Sequence, residues 1–83
     1  MILDKLGRIV QLYDLYGPLL TPKQQDAVRL YYEQDLSLAE IASECRVSRQ
    51  AVYDLLRRAE TALEKYEQKL RLLESEARGQ RHP

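Results

Sequence analysis

The sequence predicts an all-α protein of four to five helices. Glycine and proline are sparse, with only three of each in the chain, so few positions interrupt a helix. Apolar residues recur at spacings of three and four, which is the period of one helical face. A Ser or Thr followed three residues later by Glu or Gln precedes two of these runs, and this spacing marks the start of a helix. These three observations favour helices along nearly the whole chain.

The composition is that of one small globular domain. The 83 residues are 45% apolar and 31% charged, which is too apolar for a disordered chain. We expect a single domain over residues 1–78 and a flexible tail over residues 79–83. No apolar run approaches the ~18 residues that a membrane span needs, the start lacks the basic region of a signal peptide, and the lone Cys45 fits a reducing compartment. We therefore expect a cytoplasmic protein with no membrane partner.

The first two helices are separated by Gly17-Pro18. A single apolar stripe predicts the first helix over residues 3–16. The stripe consists of Ile2, Leu6, Ile9, Tyr13 and Tyr16. Thr21 and Gln24 have the spacing of a capping box, which predicts a second helix over residues 22–34.

The remaining chain predicts a short helix followed by a long one. Ser37 and Glu40 form the second capping box, which predicts a helix over residues 38–45. Ser48 is a cap for the next helix. Because residues of high helix propensity then continue without glycine or proline almost to the end, we expect one long helix over about 49–77.

Residues 36–57 meet several requirements of a helix-turn-helix. Ala42 is small enough for two helices to cross closely, Val47 is expected to fill the turn, and Val52 is expected to pack back on the preceding helix. Arg46 stands where such turns often have glycine. If Arg46 takes a left-handed backbone, the cost is about 1–2 kcal/mol; the alternative is a turn that differs slightly from the usual motif. A helical hairpin without a nucleic-acid role remains the alternative.

Several segments of the chain resemble the YlxM family over about residues 6–73. They are residues 19–25, 30–32, 35–38, 40–42, 47–54 and 63–70. Members of that family look like the helix-turn-helix module of sigma-factor region 4, and their genes lie beside those for signal recognition particle components. The resemblance implies a bacterial cytosolic regulator, or an accessory factor of that pathway.

The start of the second helix of a helix-turn-helix meets base edges. The candidate nucleic-acid-binding residues are Ser48, Arg49, Gln50, Tyr53, Arg57, Arg58 and Lys23. Arg49 can pair with guanine and Gln50 with adenine, whereas Arg57 and Arg58 suit phosphates. Asp54 repels phosphate. It could accept a hydrogen bond from cytosine N4, but we expect it to pair with Arg57 or Arg58 at helical spacing. The leading partner is duplex DNA.

The charge balance predicts weak binding by one copy of this module. Lys and Arg number 13 and Asp and Glu number 13, so the formal net charge is zero and nothing draws the whole chain to a polyanion. Two copies would strengthen binding. The alternative is an adaptor that contacts a signal recognition particle protein, its RNA or RNA polymerase without reading DNA.

The long helix carries three heptads of apolar residues, which suggests a homodimer. The candidate dimer interface consists of Leu6, Ile9, Tyr13, Leu63, Tyr66, Leu70 and Leu73. Small helical chains often complete their core with a partner subunit. The alternative is that the first helix covers the C-terminal stripe within one chain.

Nothing in the sequence predicts an enzyme. The only histidine is His82, beside the C-terminus, and the glycines are isolated, so neither a His-activated nucleophile nor a phosphate-binding loop is present. Glu64, Glu67 and Glu74 have the pattern of a solvated helix surface rather than an acid–base pair. We expect no cofactor, no metal and no small-molecule substrate.

Overall fold

The chain forms helices joined by short turns in a computed structural model that describes residues 2–77 and the side chains of residues 7–75. The helices are α1 (Ile2–Tyr16), α2 (Pro22–Val28), α3 (Leu38–Cys45), α4 (Arg49–Leu70) and α5 (Leu72–Ala77). A 3-10 turn, Gly17–Leu19, follows α1, and a π-helical segment, Arg29–Glu33, extends α2. The all-α prediction is confirmed, and the described residues contain no strand. None of the helices in this part of the chain is long and apolar enough to cross a membrane.

The turn after α1 depends on a glycine. Gly17 is buried, and a Cβ atom there would lie 3.0 Å from Cε1 of Tyr13. Pro18 follows at the start of the 3-10 turn, where its missing N–H costs no hydrogen bond. The predicted end of the first helix is therefore confirmed, and the Gly17-Pro18 break directs the chain toward α2.

The capping box predicted before α2 is present. Thr21 Oγ1 accepts from the backbone N–H of Gln24 at 3.2 Å, and the Gln24 side chain accepts from the N–H of Thr21 at 3.0 Å. The helical segment ends at Glu33, but its last five residues form a π-helix that the sequence did not predict. Its wider turn places Tyr31 and Tyr32 edge to face, with ring centroids 5.0 Å apart.

The capping box predicted at the start of α3 is confirmed, and its end has the left-handed one of the two turn geometries that the sequence left open. Ser37 and Glu40 cap the start reciprocally. At the end of α3, Arg46 has a φ of 58°. The backbone N–H of Val47 donates to the carbonyl oxygen of Ala42 at 3.0 Å, and the N–H of Arg46 donates to the carbonyl oxygen of Ser43 at 3.3 Å. These are the two hydrogen bonds of a Schellman motif, and they hold a left-handed arginine where glycine is usual.

Val47 does not fill the turn as expected, because its side chain is 48% exposed. The backbone hydrogen bonds of the Schellman motif close the turn without an apolar plug. Ile41, Ala42 and Val52 are buried, as predicted, and hold α3 against α4.

The single long helix expected over residues 49–77 is wrong. α4 ends at Leu70, and Arg71 adopts a left-handed conformation with φ 54°. α5 then turns toward α1 instead of continuing the axis of α4. Helix propensity did not indicate this break, because tertiary hydrogen bonds to the first turn of α5 stabilise it. The flexible tail expected over residues 79–83 lies outside the described residues.

The apolar stripe assigned to a dimer interface packs within one chain instead. Ile9 and Leu63 are 4% and 0% exposed, in the same core. Tyr13, Tyr66 and Leu73 are half-buried against this core, and only Leu70 is largely exposed, at 52%. This occurs because α1 lies along α4 and covers the apolar stripe that we expected to be exposed to water. The side chain of Leu6 lies outside the described residues.

Candidate nucleic-acid interface

The helix-turn-helix is formed by α3, the turn over residues 46–48, and α4. Apolar side chains fix the second helix on the first: Val52 and Leu56 of α4 are buried with Ile41 of α3. By contrast, every residue from Ser43 to Ala51 is exposed. The turn and the first turn of α4 therefore protrude from the core, as a recognition helix must in order to enter a groove.

Ser48 caps α4. Its Oγ accepts a hydrogen bond from the backbone N–H of Ala51 at 3.0 Å, which satisfies one of the donors left unpaired at a helix start. As an acceptor in this bond, the Ser48 hydroxyl keeps its own proton to donate. The predicted contact residue Ser48 thus has a structural role in placing the two residues that follow it.

The side chains of Arg49, Gln50 and Tyr53 surround one shallow hollow together with Leu38. The hollow has a volume of about 370 Å³ and opens to solvent. Arg49 contributes a guanidinium and Gln50 an amide to the lining of the hollow. Tyr53, which also lines it, is 45% exposed. The structure therefore brings together three of the residues that the sequence suggested for base contact.

Arg57 is placed by Tyr53, one helical turn before it. Its guanidinium carbon lies 5.9 Å from the centroid of the Tyr53 ring, within cation–π range. Arg57 does not line the hollow itself, nor do Arg58 on α4 and Lys23 near the start of α2, although all three are exposed. The three predicted contact cations therefore lie outside the group of residues that line the hollow.

Asp54 pairs with Gln50, which corrects the expectation that it pairs with Arg57 or Arg58. Gln50 Nε2 donates to Asp54 Oδ1 at 2.9 Å. The signal was present in the sequence, since Gln and Asp four residues apart on a helix are known to interact. We did not anticipate that the Arg57 guanidinium would lie over the ring of Tyr53 and not beside Asp54.

The charge around the turn is locally positive despite the neutral chain. Residues 46–58 contain four arginines and one aspartate, a net charge of +3. α3 contributes Glu40 and Glu44 on the other side of the turn. Glu40 is engaged in the capping box. The exposed start of α4 is therefore the basic side of the motif, bordered by carboxylates that limit its attraction for polyanions.

Sequence reasoning missed a buried polar cluster at the other end of α4. Glu67 is only 7% exposed. It accepts hydrogen bonds from the Tyr16 hydroxyl at 2.6 Å and from the N–H groups of Leu73 and Glu74 at 3.1 and 2.9 Å. The Tyr16 hydroxyl also accepts from the N–H of Leu72 at 3.1 Å. Glu67 is therefore a cap for α5 and not the solvated carboxylate that we expected.

Glu64 is likewise paired and not a free surface acid. Arg8 Nε and Nη2 donate to its two carboxylate oxygens at 2.7 and 2.8 Å, which joins α1 to α4. This bidentate bond holds the pKa of Glu64 below its usual value and raises that of Arg8. Arg8, Glu64 and Glu67 line a polar groove of about 790 Å³. Both carboxylates therefore serve as hydrogen-bond acceptors that join α1 to the C-terminal helices.

No metal site emerges from the part of the chain that the structure describes. It contains no group of three or more His, Cys, Asp or Glu side chains placed to hold an ion. Cys45 is exposed at the end of α3 as a free thiol.

Comparison with known proteins gives a match over nearly the whole chain. A family model described as "Putative helix-turn-helix protein, YlxM / p13 like" matches residues 3–81. A UPF0122 protein of Shouchella clausii is 60% identical over 73 residues, which are 88% of this chain and 67% of the relative. A UPF0122 protein of Exiguobacterium is 57% identical over 89% of this chain and 69% of its own length. That of Limosilactobacillus fermentum is 58% identical over 96% of this chain and 72% of its own length.

Proposed function

The chain belongs to the YlxM/p13-like family of helix-turn-helix proteins, and from this premise we propose that it is a cytosolic regulatory protein that binds duplex DNA with α4 in the major groove. One observation carries the proposal: the start of α4 stands clear of the core and groups Arg49, Gln50 and Tyr53 around a single hollow. These are side chains that can read bases, at the helical position where such proteins read them.

The contacts divide into base and backbone contacts. Arg49 can donate two hydrogen bonds to O6 and N7 of guanine, and Gln50 can bond N6 and N7 of adenine. Tyr53 can pack on a thymine methyl group. Arg57 and Arg58 lie further along α4, where a recognition helix passes the phosphates, and we assign them to the backbone.

Two further cations support the backbone assignment. Lys23 lies in the first turn of α2, and its side chain is exposed. Arg46 is exposed in the turn itself, next to the start of α4. A helix-turn-helix contacts phosphates on both sides of the groove that its second helix enters. Lys23 and Arg46 extend the cationic surface beyond α4 itself.

Selection of duplex fragments from a random pool tests the proposal. The unchanged protein is compared with Arg49→Ala/Gln50→Ala and with a matched control, Lys65→Ala/Gln68→Ala, which also removes one cation and one amide from exposed positions of α4. We expect the unchanged protein and the control to enrich the same sequence motif. The Arg49→Ala/Gln50→Ala protein should enrich none, because the base-reading groups are gone while the helix remains.

Salt dependence provides the second readout. If about four phosphates are neutralised, affinity for the enriched duplex should fall about 100-fold between 50 and 200 mM salt. A palindromic motif would indicate that two copies bind together, as the homodimer prediction requires. Failure of the folded protein to enrich any motif would contradict the proposal.

The second candidate function is that of an adaptor. It is favoured by the zero net charge of the chain and by the carboxylates of Glu44 and Asp54 beside the basic turn, which weaken attraction to DNA. In that case the partner is a signal recognition particle protein, its RNA or RNA polymerase. Binding to a protein partner should persist at salt concentrations that abolish duplex binding.

A further inference from the structure

The hydrogen bond between Gln50 and Asp54 restricts how the Gln50 amide can face a ligand. Gln50 Nε2 donates to Asp54 Oδ1 at 2.9 Å, and both side chains lie on the exposed surface of α4. A carboxylate only accepts hydrogen bonds. If the amide turned over, Oε1 would face that carboxylate, and two acceptors would repel each other. Asp54 therefore favours one of the two amide orientations.

One of the two cations that could compete with Gln50 for Asp54 contacts another group. Arg57 is three residues after Asp54, a normal distance for an ion pair on a helix. Its guanidinium instead lies over the ring of Tyr53, 5.9 Å from the centroid. By holding Arg57, Tyr53 leaves the Asp54 carboxylate able to accept the hydrogen bond from the Gln50 amide.

The orientation leaves Gln50 with one unused N–H group and its Oε1 oxygen side by side. In the major groove, adenine presents an acceptor at N7 beside a donor at N6. Guanine presents two acceptors, so one of them would face Oε1. Thymine offers only the O4 acceptor and cytosine only the N4 donor. Adenine is the one base whose edge matches both remaining groups.

We propose that Asp54 is a positioning residue that makes Gln50 select adenine at one position of the bound DNA. The inference rests on the DNA-binding function proposed above and adds the base that this residue pair prefers. It also accounts for an acidic residue beside a surface that must approach phosphates: the carboxylate weakens binding to every sequence but fixes the amide that distinguishes sequences.

Three isosteric or conservative variants test this inference in the same duplex selection. Asp54→Asn keeps the shape but can donate as well as accept, so both amide orientations become available. Asp54→Glu keeps an acceptor-only carboxylate. Glu44→Gln removes one negative charge from an exposed position of α3 and is the charge control. Circular dichroism establishes that each variant is folded.

We expect the unchanged protein to prefer adenine over guanine at one position by about 5- to 100-fold. Asp54→Asn should reduce this preference to less than about 3-fold, because the turned amide presents two donors that suit guanine. Asp54→Glu and Glu44→Gln should retain it. Asp54→Asn and Glu44→Gln should both bind random duplex more tightly, since each removes a charge that repels phosphate.

The outcomes separate this inference from the function on which it rests. An enriched motif whose adenine preference survives in Asp54→Asn overturns the role of Asp54 and leaves DNA binding in place. A motif with no adenine position that depends on Gln50 also overturns it. The absence of any motif with the folded, unchanged protein overturns both proposals.

Discussion

At the carboxylate of Glu67, burial and hydrogen bonding act in opposite directions. Burial by itself raises the pKa of Glu67, but the Tyr16 hydroxyl and the N–H groups of Glu74 and Leu73 donate to the charged form, and their effect is larger. The pKa of Glu67 is therefore lowered. A charge that is 7% exposed is tolerated because it has three donors, and removing one donor should be costly.

Replacing Tyr16 by Phe tests this cost. The ring remains in the core, but Glu67 loses its shortest hydrogen bond and the N–H of Leu72 loses its acceptor. We expect the free energy of unfolding to fall by about 1–3 kcal/mol in urea denaturation. Tyr13→Phe is the matched control, because the Tyr13 ring is also half-buried beside the core, and a change of no more than about 0.5 kcal/mol is expected. Equal losses in the two variants would contradict this account.

At the scale of elements, the junction of α4 and α5 is the least expected part of the fold. Arg71 is a non-glycine residue at φ 54°, which costs about 1–2 kcal/mol. The cost is offset because α5 can then place its first N–H groups on Glu67 and Tyr16. These hydrogen bonds favour the break at Arg71, whereas the helix propensity of the residues around it favours a continuous helix.

Arg71→Gly should stabilise the protein by about 0.5–1 kcal/mol, because glycine adopts the left-handed conformation without the steric cost. The lost contact with Glu74, at 3.8 Å on the surface, contributes little. Gln68→Gly, inside α4, should instead destabilise it by about 1 kcal/mol. The measurement is thermal or urea denaturation. If α4 ran on without a break in solution, both variants would be destabilised.

Features that depend on neighbouring residues could be predicted from the sequence, whereas features that depend on distant residues could not. The capping boxes at Thr21 and Ser37 could be predicted, because each is determined by residues within one turn of the chain. At Arg46 the sequence indicated a left-handed backbone only as one of two possible turn geometries. The break at Arg71 could not, because the groups that stabilise it include Tyr16, far away in the sequence. Helix propensity likewise gave no indication of the π-helical segment.

The candidate interface was predictable for a related reason. A helix-turn-helix defines by position which residues of its second helix protrude, so Arg49, Gln50 and Tyr53 could be chosen without coordinates. The partner of Asp54 could not, since Gln50, Arg57 and Arg58 all lie within helical reach of it. The hydrogen bond from Gln50 identifies the partner of Asp54, and the placement of the Arg57 guanidinium over Tyr53 accounts for the absence of one of the two ion pairs.

At the scale of the whole molecule, polar contacts attach α1 to the C-terminal helices. Arg8 bonds Glu64 of α4, and Tyr16 bonds both Glu67 and the N–H of Leu72 at the start of α5. Apolar packing of Ile9 and Leu12 in the core completes this attachment. The two glutamates are thus the acidic groups on which the association of the N-terminal helix depends.

The stability of the protein should consequently fall in acid. The pKa values of Glu64 and Glu67 are lowered in the folded state, so the unfolded chain binds more protons as the pH falls. Their contribution is complete above the ordinary glutamate pKa of about 4.3 and is lost as the pH falls through the lowered values. We expect the urea midpoint to change little between about pH 6 and 8 and to decrease below about pH 4.5.

Two variants identify the source of this acid sensitivity. Glu67→Gln should be less stable at neutral pH and should lose less stability on acidification, because the titrating group has been removed. Glu44→Gln, which changes an exposed carboxylate, should retain the acid response of the unchanged protein. The same loss of stability on acidification in Glu67→Gln and the unchanged protein would show that other groups are responsible.

The attachment of α1 also determines when the molecule can be completed during synthesis. The hydrogen bonds of Arg8 and Tyr16 to the C-terminal helices join residues 51 to 56 positions apart. α3 and α4 are consecutive and can associate through contacts that are close in sequence, which form early. α1 precedes its partners at Glu64 and Glu67 by more than fifty residues. During synthesis it must therefore remain without these neighbours until the second half of α4 has been made.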